Sequence, residues 1–283
     1  MPDSAFELVT VPGGARSLRS LEHGETFHPG IGPMEEARVL HVAQHRLETR
    51  IRPGEAFTIW DVGLGAGANA LAVVEIVRNL PANIELWSFE ESLEPLRFAW
   101  KHAEDLEYPA RWKREIEELL VKGSVQIGSV AWRIELGDFR ERVGQCIAPA
   151  PNAVLFDPYS PAANPGMWTR EVFHAIRERA AEDCTLTTYS RSTVTRANLL
   201  RAGWFVGRGS ATGEKTETTV AATRLESLRE PLRRDWLERV RRSAAAGLRE
   251  GGTTPEAVAR ELENCPQMNP EPAIPFSDPS AVP

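Results

Sequence analysis

Residues 56–80 read AFTIWDVGLGAGANALAVVEIVRNL, and this stretch decides the fold. Its first part, AFTIWDVG (56–63), is an apolar run of strand length. Its last part, AGANALAVVEIVRNL (66–80), has the length and composition of a helix and stops at Pro81. Between them, Gly63, Gly65 and Gly67 let the backbone turn tightly and approach a ligand closely. With Ala68 the loop also satisfies GxGxxA, the pattern of dinucleotide-binding folds. A buried strand, a glycine loop and a helix together make the opening unit of a parallel α/β sheet.

The alternation continues outward from this unit. Strands are predicted at IELWSFE (84–90), SVAWRIELGD (129–138), NAVLFD (152–157) and CTLTTYS (184–190), separated by helical stretches. WFVGRG (204–209) and ETTVAATRL (217–225) read as a closing hairpin around the loop GSATGEK. The expectation is an α/β domain over 56–225, with a mostly parallel seven-stranded sheet, helices on both faces and a terminal antiparallel hairpin. The charged segment RWKREIEELLVKG (111–123) reads as an outer helix, and RLETRI (46–51) as a possible strand. Residues 1–55 form an N-terminal segment packed on the core, and 226–250 a basic helix. The tail 251–283, with seven prolines, reads as poorly ordered or as an extended arm.

Bulk properties narrow the function. The chain has 283 residues, 42% of them hydrophobic, and a net charge of −7. No apolar run is long enough to span a membrane, and the N-terminus lacks a secretory pattern, so a cytoplasmic location is expected, and separately a monomer. Cys146, Cys184 and Cys265 form no CxxC pair, and no HExxH pattern occurs, so no metal site is predicted. The acidic balance works against nucleic-acid binding by general charge attraction, so any such contact needs a local basic patch.

Acids recur at the predicted strand ends. Asp61 precedes the first glycine, where an acid can accept from a cationic amino-acid ligand or bound water. Glu90 ends the second strand, placed for two ribose hydroxyls, and Asp138 ends the third, placed for an adenine amine. Asp157 ends the fourth, within NAVLFDPYSPAANPGMW (152–168), and a stiff aromatic loop follows it. An acid at Glu90 fits both NAD and S-adenosylmethionine, and four acids along one sheet edge suit S-adenosylmethionine best. Trp168 reads as a core anchor.

VGLGAGANAL, WSFE, LGD and LFDPYSPAANPGMW together resemble the methyltransferase module of the MnmC family. That family forms 5-methylaminomethyl-2-thiouridine at the tRNA wobble position. Gly63, Gly65, Gly67 and Asn69 match its glycine loop, and Ser88 and Glu90 its second strand end. Asp157, Pro161, Asn164, Pro165, Met167 and Trp168 match its long third motif. GETFHPGIGPMEEARVLHV (24–42) is similar to the family's upstream segment, which places Phe27, His28 and Glu35 or Glu36.

The resemblance implies a Rossmann-like class I fold with S-adenosylmethionine as cofactor. It implies cofactor contacts from Asp61, the three glycines, Asn69, Glu90, Asp138 and Asp157. Substrate contacts would come from Phe27, His28, Ser160, Pro161, Asn164 and Lys215, and catalysis from Asp157 and Tyr159. The chain departs from the pattern at Pro158 and Tyr159, and in the hairpin loop, which keeps only Lys215 of a basic stretch. The flavin-dependent oxidase domain of fused members has no counterpart within these residues, so a stand-alone methyltransferase module is expected.

An alkyl amine is mostly protonated at neutral pH, so the site must hold the free base against the methyl group. Asp157 would orient the amine and stabilise its charge, and Tyr159 would stack on the uracil or point its hydroxyl at the amine. Two alternatives remain open: an N-methyltransferase for a non-tRNA amine, and a cofactor-binding homologue without catalysis. A funnel of Arg191, Arg196, Arg201, Arg208 and Lys215 would favour tRNA.

Overall fold

The computed structural model describes residues 5–212, 216–249 and 252–269. Its centre is an eight-stranded sheet in the order β5-β6-β4-β3-β7-β8-β10-β9. The strands are β3 (Ala56–Val62), β4 (Asn83–Glu90), β5 (Ser124–Ile127), β6 (Val130–Leu136), β7 (Ala153–Phe156), β8 (Thr185–Thr188), β9 (Phe205–Gly209) and β10 (Thr218–Ala222). The five strands β6, β4, β3, β7 and β8 run parallel, and the antiparallel pairs are β5 with β6, β10 with β8 and β10 with β9. The sheet thus holds one strand more than the seven expected. β5 follows the charged helix Lys113–Lys122 at once and turns into β6 through Gly128, at φ +56°. Four residues are too few to show the alternation that marks a strand in sequence.

Strand periodicity divides the core between the two faces. Trp60, Val62, Phe89 and Phe156 pack on one face, and Phe57, Ile59, Leu86 and Leu155 on the other. The helix Ala68–Val77 is buried on nearly every side because the helical run over 33–50 covers its outer surface. That explains its almost unbroken apolar sequence. Leu71 and Val74 are fully buried there, each contributing about 1.5–3 kcal/mol.

The N-terminal segment contains a hairpin that the sequence pattern did not reveal, β1 (Phe6–Thr10) paired with β2 (Arg16–Ser20). The possible strand at 46–51 is instead the helical turn Leu47–Arg50. Leu47 and Ile51 are both buried, and their spacing of four is helical.

The single basic helix over 226–250 is also corrected. That stretch holds short 3₁₀ turns at Leu225–Ser227, Arg234–Trp236 and Ala246–Leu248 and the helix Leu237–Arg241. Pro231 interrupts it, bridging to Gly207 beside β9. The tail is corrected in part. Residues Pro255–Glu263 form a helix capped by Thr254, and Val258, Ala259, Leu262 and Met268 join the main core. The expectation for 270–283 lies outside the described residues. Among the described residues, no helix is long and apolar enough to cross a membrane.

Strand order reverses at β3, which pairs with β4 on one side and β7 on the other. A crevice opens at the carboxyl ends of the strands at such a switch point, and ligands bind there in open α/β sheets.

Candidate active site

The glycine loop is confined from two sides. Gly63 has φ +92°, and a Cβ there would lie 2.8 Å from the Asp157 carbonyl oxygen. Gly65 has φ +51°, and a Cβ there would lie 3.0 Å from Phe27 Cε2. A side chain at either position would meet both strained backbone and an occupied neighbour. Gly67 precedes the first turn of the helix Ala68–Val77.

A cavity of about 640 Å³ lies over this loop, within the usual range for a small-molecule or cofactor site. Gly63, Gly65, Glu90, Asp138 and Asp157 line it from the sheet side. Phe27, His28, Tyr159, Ser160 and Asn164 line it from above. Gly67, Asn69 and Pro161 are not part of its lining, and Lys215 lies outside the described residues.

The four strand-end acids have different surroundings. Glu90 accepts the Gly65 N–H through Oε2 at 2.9 Å, and the Glu91 and Ser92 N–H groups through Oε1 at 2.9 and 3.2 Å. Burial pushes its pKa up against these backbone donors. Asp138 caps the helix Phe139–Arg142 and accepts from Arg140 Nε and Nη2, so the Arg140 guanidinium holds its pKa down. An adenine amine at Asp138 would therefore compete with Arg140.

Asp61, also expected at the cofactor, does not line the cavity. It is still inside β3, where the ladder pairs it with Ser88. The Ser88 hydroxyl donates to Asp61 Oδ2 at 2.7 Å and accepts from Trp132 Nε1 at 2.9 Å. Burial raises the Asp61 pKa to about 7.

Asp157 follows β7 and is largely buried. Its Oδ2 accepts from Asn69 Nδ2 at 2.6 Å, and His41 Nε2 stands 3.9 Å away. Burial alone would raise its pKa. His41, His28 and Asn69 outweigh burial and bring it below the ordinary value, so Asp157 is a carboxylate.

The loop after Asp157 is fixed on both sides. The Glu25 carboxylate accepts from the Ser160 N–H at 3.0 Å and from the Ser160 hydroxyl. The Tyr159 ring lies 4.0 Å from the His23 ring and 5.6 Å from the Phe27 ring, centroid to centroid. Burial pushes its phenol pKa up to about 12, so it stays protonated. Below, Trp168 Nε1 donates to the Tyr159 carbonyl at 2.9 Å and the Tyr189 hydroxyl to the Pro158 carbonyl at 3.0 Å. Trp168 is thus a core anchor, packed edge-on against Phe156.

With this geometry in place, comparison with known proteins decides the class. A family model described as S-adenosyl-L-methionine-dependent methyltransferase matches residues 105–224. The chain is 31% identical over 217 residues to the tRNA 5-methylaminomethyl-2-thiouridine biosynthesis bifunctional protein MnmC of Burkholderia vietnamiensis, which covers 72% of this chain and 33% of that protein. It is 32% identical over 212 residues to the MnmC of Azoarcus sp., covering 70% and 33%. The chain is an MnmC-like S-adenosylmethionine-dependent methyltransferase. It spans about a third of the length of these curated relatives. The crystal structure of MNMC2 from Aquifex aeolicus shares the fold, with a TM-score of 0.67 at 23% identity, over 93% of this chain and 85% of that one. The class I Rossmann-like architecture agrees with the observed sheet.

The methyltransferase cavity fits its cofactor by its own features. The glycine loop leaves the backbone open where a Cβ would intrude. Glu90 lines the cavity and, with three backbone donors on its carboxylate, keeps about one further acceptor site. Three contributors were not predicted as site residues from the sequence. Glu25 and Tyr189 are distant in the chain from the loop they hold. His41 is hidden inside a helical run. Glu36, which the family pattern did place, is buried along the cavity with Oε2 lacking a hydrogen-bond partner.

Proposed function

We propose that this methyltransferase N-methylates the aminomethyl group of a modified wobble uridine in tRNA, in the cytoplasm. The observation that carries the reading is Asp157, a buried carboxylate held by Asn69 on the cavity wall, beneath an aromatic loop. The similarity to MnmC supplies the substrate class.

When bound, the cofactor supplies an electrophilic methyl group on a sulfonium. Gly63, Gly65, Glu90 and Asp138 would hold it. Asp157 accepts an N–H of the substrate amine and directs the nitrogen lone pair. Because its pKa is lowered, Asp157 is a weak base, so it acts by orientation and by stabilising the positive charge that develops on nitrogen. The departing proton passes to water or transiently to Asp157. The protonated Tyr159 donates or stacks and does not abstract a proton. The Glu25–Ser160 contact and the Phe27 ring cover the reacting centre.

One observation favours the second reading, a small cationic amine as substrate. Glu25, Glu36, Glu90, Glu91, Asp138 and Asp157 line the cavity. Three of the four arginines expected to form a basic funnel are paired with acids. Arg196 is buried on Glu217, which also pairs with Arg208, and Arg201 pairs with Glu261. Radiolabelled methyl transfer to bulk tRNA lacking the modification separates the readings. Labelled tRNA supports the first. Cofactor binding by calorimetry without labelled tRNA, but with labelled small amines, supports the second.

A further inference from the structure

Asp157 is approached from below by a buried polar row that the reaction as described does not use. The run over 38–45 places His41 and His45 four residues apart, on a π-helical turn, Arg38–Val42, followed by the turn Ala43–His45. β8 places Thr185 and Thr187 two residues apart on one face. The rise is about 6 Å over four helical residues and about 6.6 Å over two strand residues, so the two pairs come into register.

The contacts form one continuous row. Arg50 Nη1 donates to Thr185 Oγ1 at 2.7 Å. Thr185 Oγ1 lies 2.7 Å from His45 Nδ1, and His45 Nε2 lies 2.9 Å from Thr187 Oγ1. Thr187 Oγ1 lies 2.7 Å from His41 Nδ1, and His41 Nε2 faces Asp157 Oδ2 at 3.9 Å with no hydrogen-bond partner of its own. Both histidines are fully buried.

Arginine can only donate, so Thr185 Oγ1 is an acceptor at that end and its own proton is free for His45 Nδ1, which gives the row one self-consistent polarity. The Thr185 hydroxyl receives from Arg50 and passes its own proton to His45 Nδ1. His45 then carries its hydrogen on Nε2 and donates to Thr187. Thr187 donates to His41 Nδ1, and the His41 hydrogen is left on Nε2, facing Asp157. This assignment gives each hydroxyl and ring N–H in the row an acceptor or a facing carboxylate. Burial, with His41 and Arg50 nearby, lowers the His45 pKa well below its ordinary value, consistent with a neutral ring.

We propose that His41 is a positioning residue for Asp157: the row from Arg50 fixes its ring as an Nε2–H donor that orients the carboxylate toward the substrate amine and keeps it anionic. The inference rests on the role given to Asp157 above. The present separation is long for a hydrogen bond and closes when substrate engages the carboxylate, as catalytic hydrogen bonds often do. The other groups acting on Asp157 are His28, Asn69, Asp61 and Tyr189. His41 itself faces Asp157, Thr187 and His45.

The test uses the full chain and two substitutions, His41→Phe and Thr187→Val. Nitrogen NMR of the wild type should show both buried rings as Nε2–H tautomers. Carboxyl-carbon NMR should show the Asp157 titration midpoint rising by about one pH unit in His41→Phe, and by less in Thr187→Val. With substrate, kcat should fall about tenfold while cofactor affinity stays within about twofold, the pattern of lost transition-state positioning. An Nδ1–H tautomer at His41 overturns the proposal. So does an unmoved Asp157 midpoint in both variants. If His41→Phe does not fold, Thr187→Val decides by the same readings. If the wild type methylates no amine, the role of Asp157 in methyl transfer fails. A shifted midpoint in the variants would then still support the His41–Asp157 coupling.

Discussion

Asp61 lies in β3 and Asp157 just past the end of the neighbouring β7, yet their protonation behaviour is opposite. Asp61, buried against Ser88, has its pKa raised to about 7. It is protonated in the folded apo protein where an unfolded chain would already have ionised it. Stability from this group is therefore full below the ordinary aspartate range and declines as pH rises toward 7. Asp61→Asn keeps the acceptor for Ser88 and removes the titration. Its melting temperature should exceed the wild type by a margin that grows from pH 5 to pH 7 and is flat above. Asp157 needs the opposite treatment. Asp157→Asn should cut methyl transfer at least about 10²-fold while calorimetric cofactor affinity changes less than about tenfold. Asp157 itself was legible in sequence, because an apolar strand ending in an acid and a rigid turn is a local pattern. Asp61 was legible as an acid but not as a buried one, since its partner on β4 is fixed only by sheet register.

At the scale of elements, the glycine loop and the N-terminal segment depend on each other. A methyl group on Gly65 would press on Phe27 and also occupy a left-handed backbone conformation. Gly65→Ala should lower cofactor affinity at least about tenfold by calorimetry, given a backbone penalty of about 1–2 kcal/mol before any clash. Adding Phe27→Ala should recover only the steric part. The loop and its flanking strand and helix could be read directly, because glycine spacing and apolar runs are local. The hairpin β1–β2, the short β5 and the clamp from Glu25 to Ser160 could not. The first two are too short for clear periodicity, and the third spans 135 positions of chain. The His41–His45 spacing was visible, but its meaning depends on Thr185 and Thr187 of β8.

Across the whole molecule, the tail changes most from what its composition suggests. Proline content pointed to disorder, while Thr254-Pro255 is a helix start and Val258 and Leu262 repeat at helical spacing. The helix Pro255–Glu263 closes the core beside Leu237 and Val240. Leu262→Ala should therefore cost about 2–4 kcal/mol in denaturant unfolding, a core-sized loss. Charge is distributed to match an acidic protein. Arg241 is shared among Glu238, Glu256 and Glu263, and Arg242 also pairs with Glu238. In the same stretch Arg229, Arg233, Arg234 and Arg239 are exposed and take part in no salt bridge among the described residues, so tRNA binding through them should show a salt slope of about −4.

The most direct measurement is single-turnover transfer of a labelled methyl group from S-adenosylmethionine to tRNA carrying an aminomethyl wobble uridine, comparing wild type with Asp157→Asn. Labelled wobble uridine from the wild type, with transfer reduced at least about 10²-fold in the variant, is the expected result. Equal transfer by both proteins would contradict the role of Asp157, and no transfer by the wild type to this tRNA would contradict the substrate.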